Sequence, residues 1–146
     1  MNDRALLAAA KHLLGDEPID EEFVAAAVEG GLGFQRCIEC GYLRFPPAAV
    51  CPECLHAKSE WVRDSGLGTL WSFCIYHRAF DPAFKDALPY NVALIELDSG
   101  PLMISNVLAV EAADLKIGLR VIALTKEVGQ DRRLVYFEPA KLEEQE

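Results

Sequence analysis

Two Cys-x-x-Cys pairs lie close together in the stretch CIECGYLRFPPAAVCPEC. The first pair is Cys37 with Cys40, and the second is Cys51 with Cys54. Each pair can direct two thiolates at one point, and two such turns supply the four ligands of a tetrahedral zinc ion, with Zn–S distances of about 2.3 Å. The spacing therefore predicts a four-cysteine metal site.

The number of ligands predicts what the metal does. Four thiolates fill a tetrahedral zinc and leave no position for water or substrate, so we expect a structural ion rather than a Lewis acid. Zinc also supplies folding energy to the segment YLRFPPAAV, which has too few apolar residues for a core. Two alternatives stay open: the same ligands accept iron, since CIECGY resembles a rubredoxin knuckle, and either pair alone suits dithiol redox chemistry.

A long connection, YHRAFDPAFKD, holds the other residues with binding chemistry. It contains His77, Arg78 and Lys85 together with the aromatic ring of Phe80. Loops on rigid scaffolds often bind ligands, although a solvated loop is the plainer interpretation. The sequence has no recognisable Ser-His-Asp arrangement, Gly-rich phosphate cradle or paired-carboxylate motif. We therefore predict no self-contained active site.

Composition and charge narrow the class of protein. The 146 residues are 51% hydrophobic and 25% charged, as expected for one globular domain or two very small ones. The net charge is -9 and no segment is basic, which argues against binding through phosphate neutralisation. The charged N-terminus and short apolar runs predict neither a signal peptide nor a membrane span, so a cytoplasmic location is expected.

The elements that must hold these residues follow from periodicity. Residues 3 to 14 form an amphipathic pattern with Asp3 as N-cap, and a second short helix is predicted from Asp20 to Gly30. From Arg63 onward the period changes to two. Five strands follow in the segments GLGTLWSFCIYH, YNVALIELD, PLMISNVLAV, LRVIALTKEV and LVYFEP. They fit a closed Greek-key barrel of the OB type, with an open five-stranded sheet as the alternative.

Strict alternation along the first of these strands assigns side chains to faces. It places Trp71 and Phe73 on the core face. Cys74, the fifth cysteine, is expected to be a buried core residue.

The order of these motifs resembles a known family. The segments FQRCIECGYLRFPPAAVCPEC, SGLGTLWSFCIYHRAF and LPYNVALIELDSGPLMISNV are similar to small acyl-CoA-associated proteins, formerly a domain of unknown function. The resemblance runs from about Phe23 to Phe137. It implies a mainly β fold with N-terminal α-helices, then a rubredoxin-like zinc ribbon followed by a five-stranded OB-fold barrel. The predicted parts are 1–33 (helical), 34–62 (ribbon), 63–138 (OB fold) and 139–146 (acidic tail).

The resemblance also implies a function. Such proteins are accessory subunits of thiolase-like enzymes, including thiolases, acyl-transferring enzymes and aldolases that act on CoA thioesters. The partner supplies the catalytic groups, the small subunit docks through its helices and ribbon, and the OB domain helps form the CoA entrance. The family's four cysteines correspond to the four already identified, and no catalytic residue is carried over.

CoA carries several phosphates, so an acidic subunit must offer a local cationic patch to contact it. His77, Arg78 and Lys85 are the candidates, and Tyr90 or Phe80 could lie against the adenine. The leading hypothesis is thus a non-catalytic subunit that forms a hetero-oligomer with a thiolase-superfamily enzyme cleaving or forming a C–C bond in an acyl-CoA.

Two other functions are weighed against this hypothesis. The first is a single-stranded nucleic-acid-binding module, in which aromatic side chains such as Tyr76 stack on bases; charge and the predicted burial of Trp71 argue against it. The second is an independent hydratase or thioesterase, which lacks a visible acid or base.

Overall fold

The computed structural model describes residues 2–14, 32–128 and 133–141, and for residues 11–14 the backbone only. Within these ranges one α-helix, α1 (Asp3–Leu14), precedes eight strands. The strands are β1 (Leu32–Cys37), β2 (Leu43–Arg44), β3 (Ser59–Asp64), β4 (Leu67–Tyr76), β5 (Tyr90–Leu97), β6 (Leu102–Ser105), β7 (Arg120–Glu127) and β8 (Arg133–Pro139). Short 3-10 helices occupy Pro82–Ala87 and Ala112–Asp114. The predicted second helix and most of the acidic tail lie outside the described residues.

The first sheet is a small antiparallel ribbon in the order β2-β1-β3. Strand β1 pairs with β3 from Leu32 opposite Asp64 to Cys37 opposite Ser59. Strand β1 ends at the first predicted ligand, so the sheet fixes where the metal turn begins.

The second sheet has five antiparallel strands in the order β6-β5-β4-β7-β8. It curls until the segment after β6 reaches β8, where Val107 forms a parallel bridge with Phe137. The buried Asn91 side chain holds that segment, because its amide donates to the Val107 carbonyl and accepts from the Val107 N–H, both at 2.8 Å. The sheet is therefore a half-barrel, and the predicted fold class is confirmed. The predicted division into four parts stays a prediction.

One hydrophobic core joins the ribbon to the half-barrel. Leu32 and Phe34 of β1 are buried in the same cluster as Leu70 and Phe137 of the half-barrel. The ring of Phe34 also meets that of Phe45 edge-on, with centroids 6.3 Å apart. The two sheets are consequently stabilised by shared apolar burial.

A second cluster seats α1 on the half-barrel. Leu6 is buried together with Tyr90 and Tyr136. Asp3 was expected to cap this helix, but Asn2 does so, because its side-chain oxygen accepts from the Ala5 N–H at 3.1 Å. The Asp3 carboxylate instead accepts from the Ala109 N–H at 2.8 Å and ties the helix to the chain after β6.

A β-bulge in β4 corrects the predicted faces of that strand. The register with β5 shifts between Leu70 and Ser72, so Trp71 is the extra residue. Side chains that face the core therefore have even residue numbers before the bulge and odd residue numbers after it. Accordingly, Leu70 is buried and Phe73 packs against the core. Trp71 is 55% exposed and Cys74 is exposed, so both predictions of burial are wrong.

Candidate metal centre

The four predicted ligands converge at the end of the ribbon. The sulfur atoms of Cys37, Cys40, Cys51 and Cys54 all lie within 4.8 Å of one another. The distance between the sulfurs of Cys37 and Cys54 is 3.5 Å, and that between Cys40 and Cys51 is 3.6 Å. A tetrahedral zinc with bonds of about 2.3 Å needs sulfurs about 3.8 Å apart. The site therefore has the size and donor set of a zinc–tetrathiolate centre.

Each cysteine pair sits on the same type of backbone turn. The carbonyl of Cys37 accepts from the Gly41 N–H at 2.9 Å, and that of Cys51 accepts from the Leu55 N–H at 2.9 Å. Gly41 and Leu55 both have left-handed φ angles, 79° and 65°. Since both turns are complete within five residues, the sequence alone could locate the ligands.

The thiols differ in their affinity for protons. The backbone N–H of Cys40 is the main reason that the pKa of Cys37 falls to about 6. The His56 backbone N–H lowers the pKa of Cys54, but partial desolvation and the three nearby sulfurs outweigh it, so that this pKa rises to about 12. Four neighbouring sulfurs resist simultaneous ionisation, and a bound dication would relieve that repulsion.

All four candidate ligands of the metal centre are cysteines, and two of the four are buried. Cys37 and Cys51 are buried, while Cys40 and Cys54 face solvent. Across the described parts of the chain, no second group of three or more potential ligands is clustered closely enough for a metal. Four thiolates complete a tetrahedral coordination shell, so the centre suits a structural ion.

The predicted cationic patch lies along the connection between β4 and β5. His77, Arg78 and Lys85 are all exposed, and Lys85 belongs to the 3-10 helix. The Arg78 guanidinium lies 5.8 Å from the centre of the Phe80 ring, which is 80% exposed.

Tyr90 is buried, unlike the exposed residues His77, Arg78 and Lys85. It is 8% exposed, and its ring centroid lies 5.1 Å from that of Tyr76 and 5.3 Å from that of Phe84. Burial raises the pKa of its hydroxyl. Adenine stacking was predicted for Tyr90 or Phe80, and Phe80 is the one with an open ring. Contact with CoA stays a prediction.

Exposed apolar side chains around the centre were missed in the sequence. Ile38 and Leu55 protrude from the two metal turns, and Val50 protrudes from the loop between them. The available signal was the presence of bulky apolar residues in a segment too short to bury them. Several exposed bulky apolar side chains in one small element are typical of a contact surface.

No helix in the described part of the chain has the length and apolar character needed to cross a membrane. A cytoplasmic location stays a prediction.

The ribbon, its four cysteines and the curled sheet define a class of protein that combines a zinc ribbon with an OB fold. Residues 24–60 match the family described as "ChsH2, rubredoxin-like zinc ribbon domain". Residues 61–126 match "ChsH2, C-terminal OB-fold domain". Two relatives named as DUF35 domain-containing scaffold proteins are 30% or more identical to this chain, and the match covers more than two thirds of their length. The chain therefore belongs to the DUF35 (ChsH2-type) family.

Three known proteins illustrate the similarity. A "Probable enoyl-CoA hydratase alpha subunit" of Thermomonospora curvata is 33% identical over 120 residues, which are 82% of this chain and 37% of that protein. A "DUF35 domain-containing scaffold protein" of Methanothermobacter thermautotrophicus is 32% identical over 66% of this chain and 72% of that protein. A solved chain of the "Ltp2-ChsH2(DUF35) aldolase" is 32% identical with a TM-score of 0.74, covering 86% of this chain and all of that one.

Proposed function

We propose that this chain is an accessory subunit of an enzyme that acts on an acyl-CoA, and that it forms a hetero-oligomer with the catalytic chain. The observation that carries the proposal is the match, across that chain's full length, to a chain of the Ltp2-ChsH2 aldolase. A second relative bears the name of an enoyl-CoA hydratase subunit, which supports the same substrate class. The chain spans 37% of that relative's length, so the relative's activity is not transferred as a whole.

The proposed partner is a thiolase-superfamily enzyme that cleaves or forms a C–C bond. In this arrangement the partner supplies the nucleophile and bases, and this chain is non-catalytic. The complete four-sulfur shell supports the proposal, because zinc bound there has no position left for a substrate. The zinc then serves to hold the ribbon in one shape.

Docking is proposed to use the ribbon together with the N-terminal helical segment. Ile38 and Leu55 are exposed on opposite metal turns, and a rigid metal centre presents both in fixed positions. Apolar side chains held in this way can contribute binding energy without first paying for conformational ordering.

The OB domain is proposed to form one wall of the CoA entrance through His77, Arg78, Lys85 and Phe80. Replacing Arg78 and Lys85 together by Ala should raise the KM for the acyl-CoA of the assembled enzyme about tenfold, because charge-assisted contacts to phosphate are lost. The matched control replaces Lys116 and Lys141, two exposed lysines outside both this connection and the ribbon, by Ala. If the Arg78 and Lys85 double variant has the same KM as the control double variant, the connection between β4 and β5 is removed from the proposal.

The proposed assembly is tested by co-expression with thiolase-superfamily enzymes from the same organism. We expect one stable complex, and an acyl-CoA activity that disappears when this chain is left out. Turnover of acyl-CoA esters by the isolated chain would overturn the non-catalytic role. A stable monomer that changes no such enzyme's activity would overturn the accessory role.

Binding of single-stranded nucleic acid remains the second candidate because of one observation. Trp71 is on the surface, where an indole ring can stack on a base. The net charge of -9 opposes this function. A salt-sensitive shift of an oligonucleotide that is lost in Trp71→Ala would favour it.

A further inference from the structure

Arg44 is a buried cation of the ribbon whose hydrogen bonds go to neutral oxygens. It is 3% exposed, and in the part of the chain that the structure describes its Nη1 is the one buried side-chain nitrogen or oxygen without a hydrogen-bond partner. Its Nε donates to Gln35 Oε1 and its Nη2 donates to the Ala48 carbonyl, both at 2.8 Å. Burial of a charge without a counter-charge is unfavourable, so stability alone gives no reason for an arginine at this position.

The hydrogen bonds of Arg44 and Gln35 meet on one residue of the loop between the two metal turns. Gln35 Oε1 also accepts from the Ala48 N–H at 2.8 Å, so side chains hold both the N–H and the carbonyl of Ala48. Gln35 and Arg44 lie opposite each other where β1 pairs with β2. We call these three hydrogen bonds the Ala48 clamp, because they tie the loop to a pair of strands.

The Ala48 clamp lies between the two halves of the metal centre. Gln35 precedes the ligand Cys37 by two residues on β1, which is about 7 Å along a strand. Ala48 precedes the ligand Cys51 by three residues. Residues 48–50 are exposed, so burial of their side chains does not fix the loop. With Ala48 held, only two residues separate a fixed point from the second cysteine pair.

The affinity of a site for a metal depends on how much of the site is in place before the metal binds. Every loop residue that zinc must order weakens binding, because its lost conformational freedom opposes association. A classical zinc finger is unfolded without metal and loses this freedom when zinc binds. In this chain the shared core holds Leu32 and Phe34 of β1, and the Ala48 clamp holds the loop. Neither set of contacts involves a metal ligand.

We propose that Gln35 and Arg44 are positioning residues of the metal centre, which hold the second cysteine pair beside the first before zinc binds. Both act through the backbone of Ala48. The clamp needs an oxygen at position 35 that accepts two donors, and a planar fork at position 44 that reaches two acceptors. The proposal concerns metal uptake by this chain and does not depend on a partner enzyme.

Zinc affinity of the full chain, measured by competition with a chromophoric chelator, tests the proposal. Gln35→Leu removes the accepting oxygen and should weaken zinc binding at least about tenfold, as loss of an outer hydrogen-bond partner of a metal site does. Gln35→Glu is the conservative variant, because it keeps that oxygen, and it should keep the affinity of the parent chain. Arg44→Lys keeps the charge but loses the planar fork, so it should weaken binding as Gln35→Leu does.

Amide hydrogen exchange in the metal-free chain tests the clamp directly. The Ala48 N–H should exchange slowly in the parent chain and in Gln35→Glu, although Ala48 is exposed. It should exchange at least about tenfold faster in Gln35→Leu, because its acceptor is gone. The measurement on the parent chain needs no variant, so it decides the question even where a variant fails to fold.

Two control variants separate positioning from stability and from charge. Leu70→Ala opens the core of the half-barrel, and it should destabilise the chain while zinc affinity stays unchanged. Arg36→Met removes a cation next to Cys37 that pairs with Glu60 and not with the loop. It should also leave zinc affinity unchanged.

Four results would each overturn the proposal. The first is a Gln35→Leu chain with the zinc affinity of the parent, and the second is free exchange of the Ala48 N–H in the metal-free parent chain. The third is an equal loss of affinity in Leu70→Ala and Gln35→Leu, which would show that affinity follows overall stability. The fourth is weaker binding in Arg36→Met but not in Arg44→Lys, which would assign the effect to charge.

Discussion

At the scale of single residues, the two metal turns share one backbone shape and differ in the residue that adopts it. Gly41 and Leu55 take equivalent left-handed positions, with φ of 79° and 65°. A left-handed conformation costs a non-glycine residue roughly 1 kcal/mol. The second turn therefore carries backbone strain that the first avoids. It also presents an exposed apolar side chain, that of Leu55, at the position where the first turn has glycine.

This difference predicts the effect of Gly41→Ala. A Cβ at Gly41 would meet no atom within 4 Å, so the substitution tests the backbone alone. We expect a loss of about 1 kcal/mol in the free energy of unfolding of the zinc-loaded chain, measured by urea denaturation. Ile38→Ala, in the same turn but outside the left-handed region, is the control. Equal stability of Gly41→Ala and the parent chain would contradict the prediction.

A second residue-scale prediction concerns pH. Arg120 donates to both carboxylate oxygens of Asp98 at 2.7 Å, and these hydrogen bonds lower the pKa of Asp98. A lowered folded pKa stabilises the protein above the ordinary value of about 3.9, and this stabilisation disappears as the pH falls through the folded pKa. Because the pair is partly exposed, Asp98→Asn should cost less than about 1 kcal/mol at pH 7. The difference from the parent chain should vanish in acid, as followed by thermal unfolding across the pH range, with Asp114→Asn as the control.

At the scale of elements, the bulge in β4 decides which side chains reach the core. Without it, odd-numbered side chains would face inward along the whole strand. The extra residue at Trp71 reverses the pattern before the bulge and leaves it unchanged after it. One irregular residue thus moves an indole from the predicted core to the surface.

The bulge predicts unequal costs for two neighbouring substitutions. Leu70→Ala should lower the free energy of unfolding by about 3 kcal/mol, because Leu70 is fully buried. Trp71→Ala should change it by less than about 1 kcal/mol despite the larger side chain removed. Chemical denaturation of both variants measures the difference. The reverse order of costs would contradict the bulged register.

The ribbon as an element depends on its metal ligands. Cys51→Ser should weaken zinc binding at least about a hundredfold. Removing a ligand costs more zinc affinity than removing a residue that only hydrogen-bonds to a ligand. Competition with a chromophoric chelator measures the affinity. Cys74→Ser is the matched control, because Cys74 is exposed and lies outside the metal group. Zinc affinity equal to that of the parent chain in Cys51→Ser would contradict the four-sulfur site.

At the scale of the whole molecule, the ribbon and half-barrel share one core. Phe34 comes from the ribbon and is 1% exposed among residues of both sheets. We expect Phe34→Ala to lower the free energy of unfolding by about 4 kcal/mol and to destabilise both sheets together. Hydrogen exchange should then rise in β1 and in β5 alike, whereas Val50→Ala, at an exposed site, should change neither. Faster exchange confined to the ribbon would show that the two sheets unfold independently.

Some features followed from the sequence because their causes are local. The cysteine ligands lie within an 18-residue stretch, and each pair is oriented by its own turn. The order of the ribbon and the five OB strands was also predictable, since alternating apolar residues and turn residues mark each strand. The predicted N-cap of α1 is wrong by one residue. Asn2 and Asp3 are both good caps, but the Asp3 carboxylate accepts a hydrogen bond from the N–H of Ala109, which is distant in the sequence.

Tertiary structure alone decided the features that depend on contacts between distant segments. The exposure of Trp71 depends on how β4 pairs with β5, and the burial of Tyr90 depends on Tyr76 and Phe84 packing around its ring. The sequence by itself determined the ligands and the elements, since those interactions span a few residues. Register and packing between sheets required the folded chain, since they join residues far apart in it.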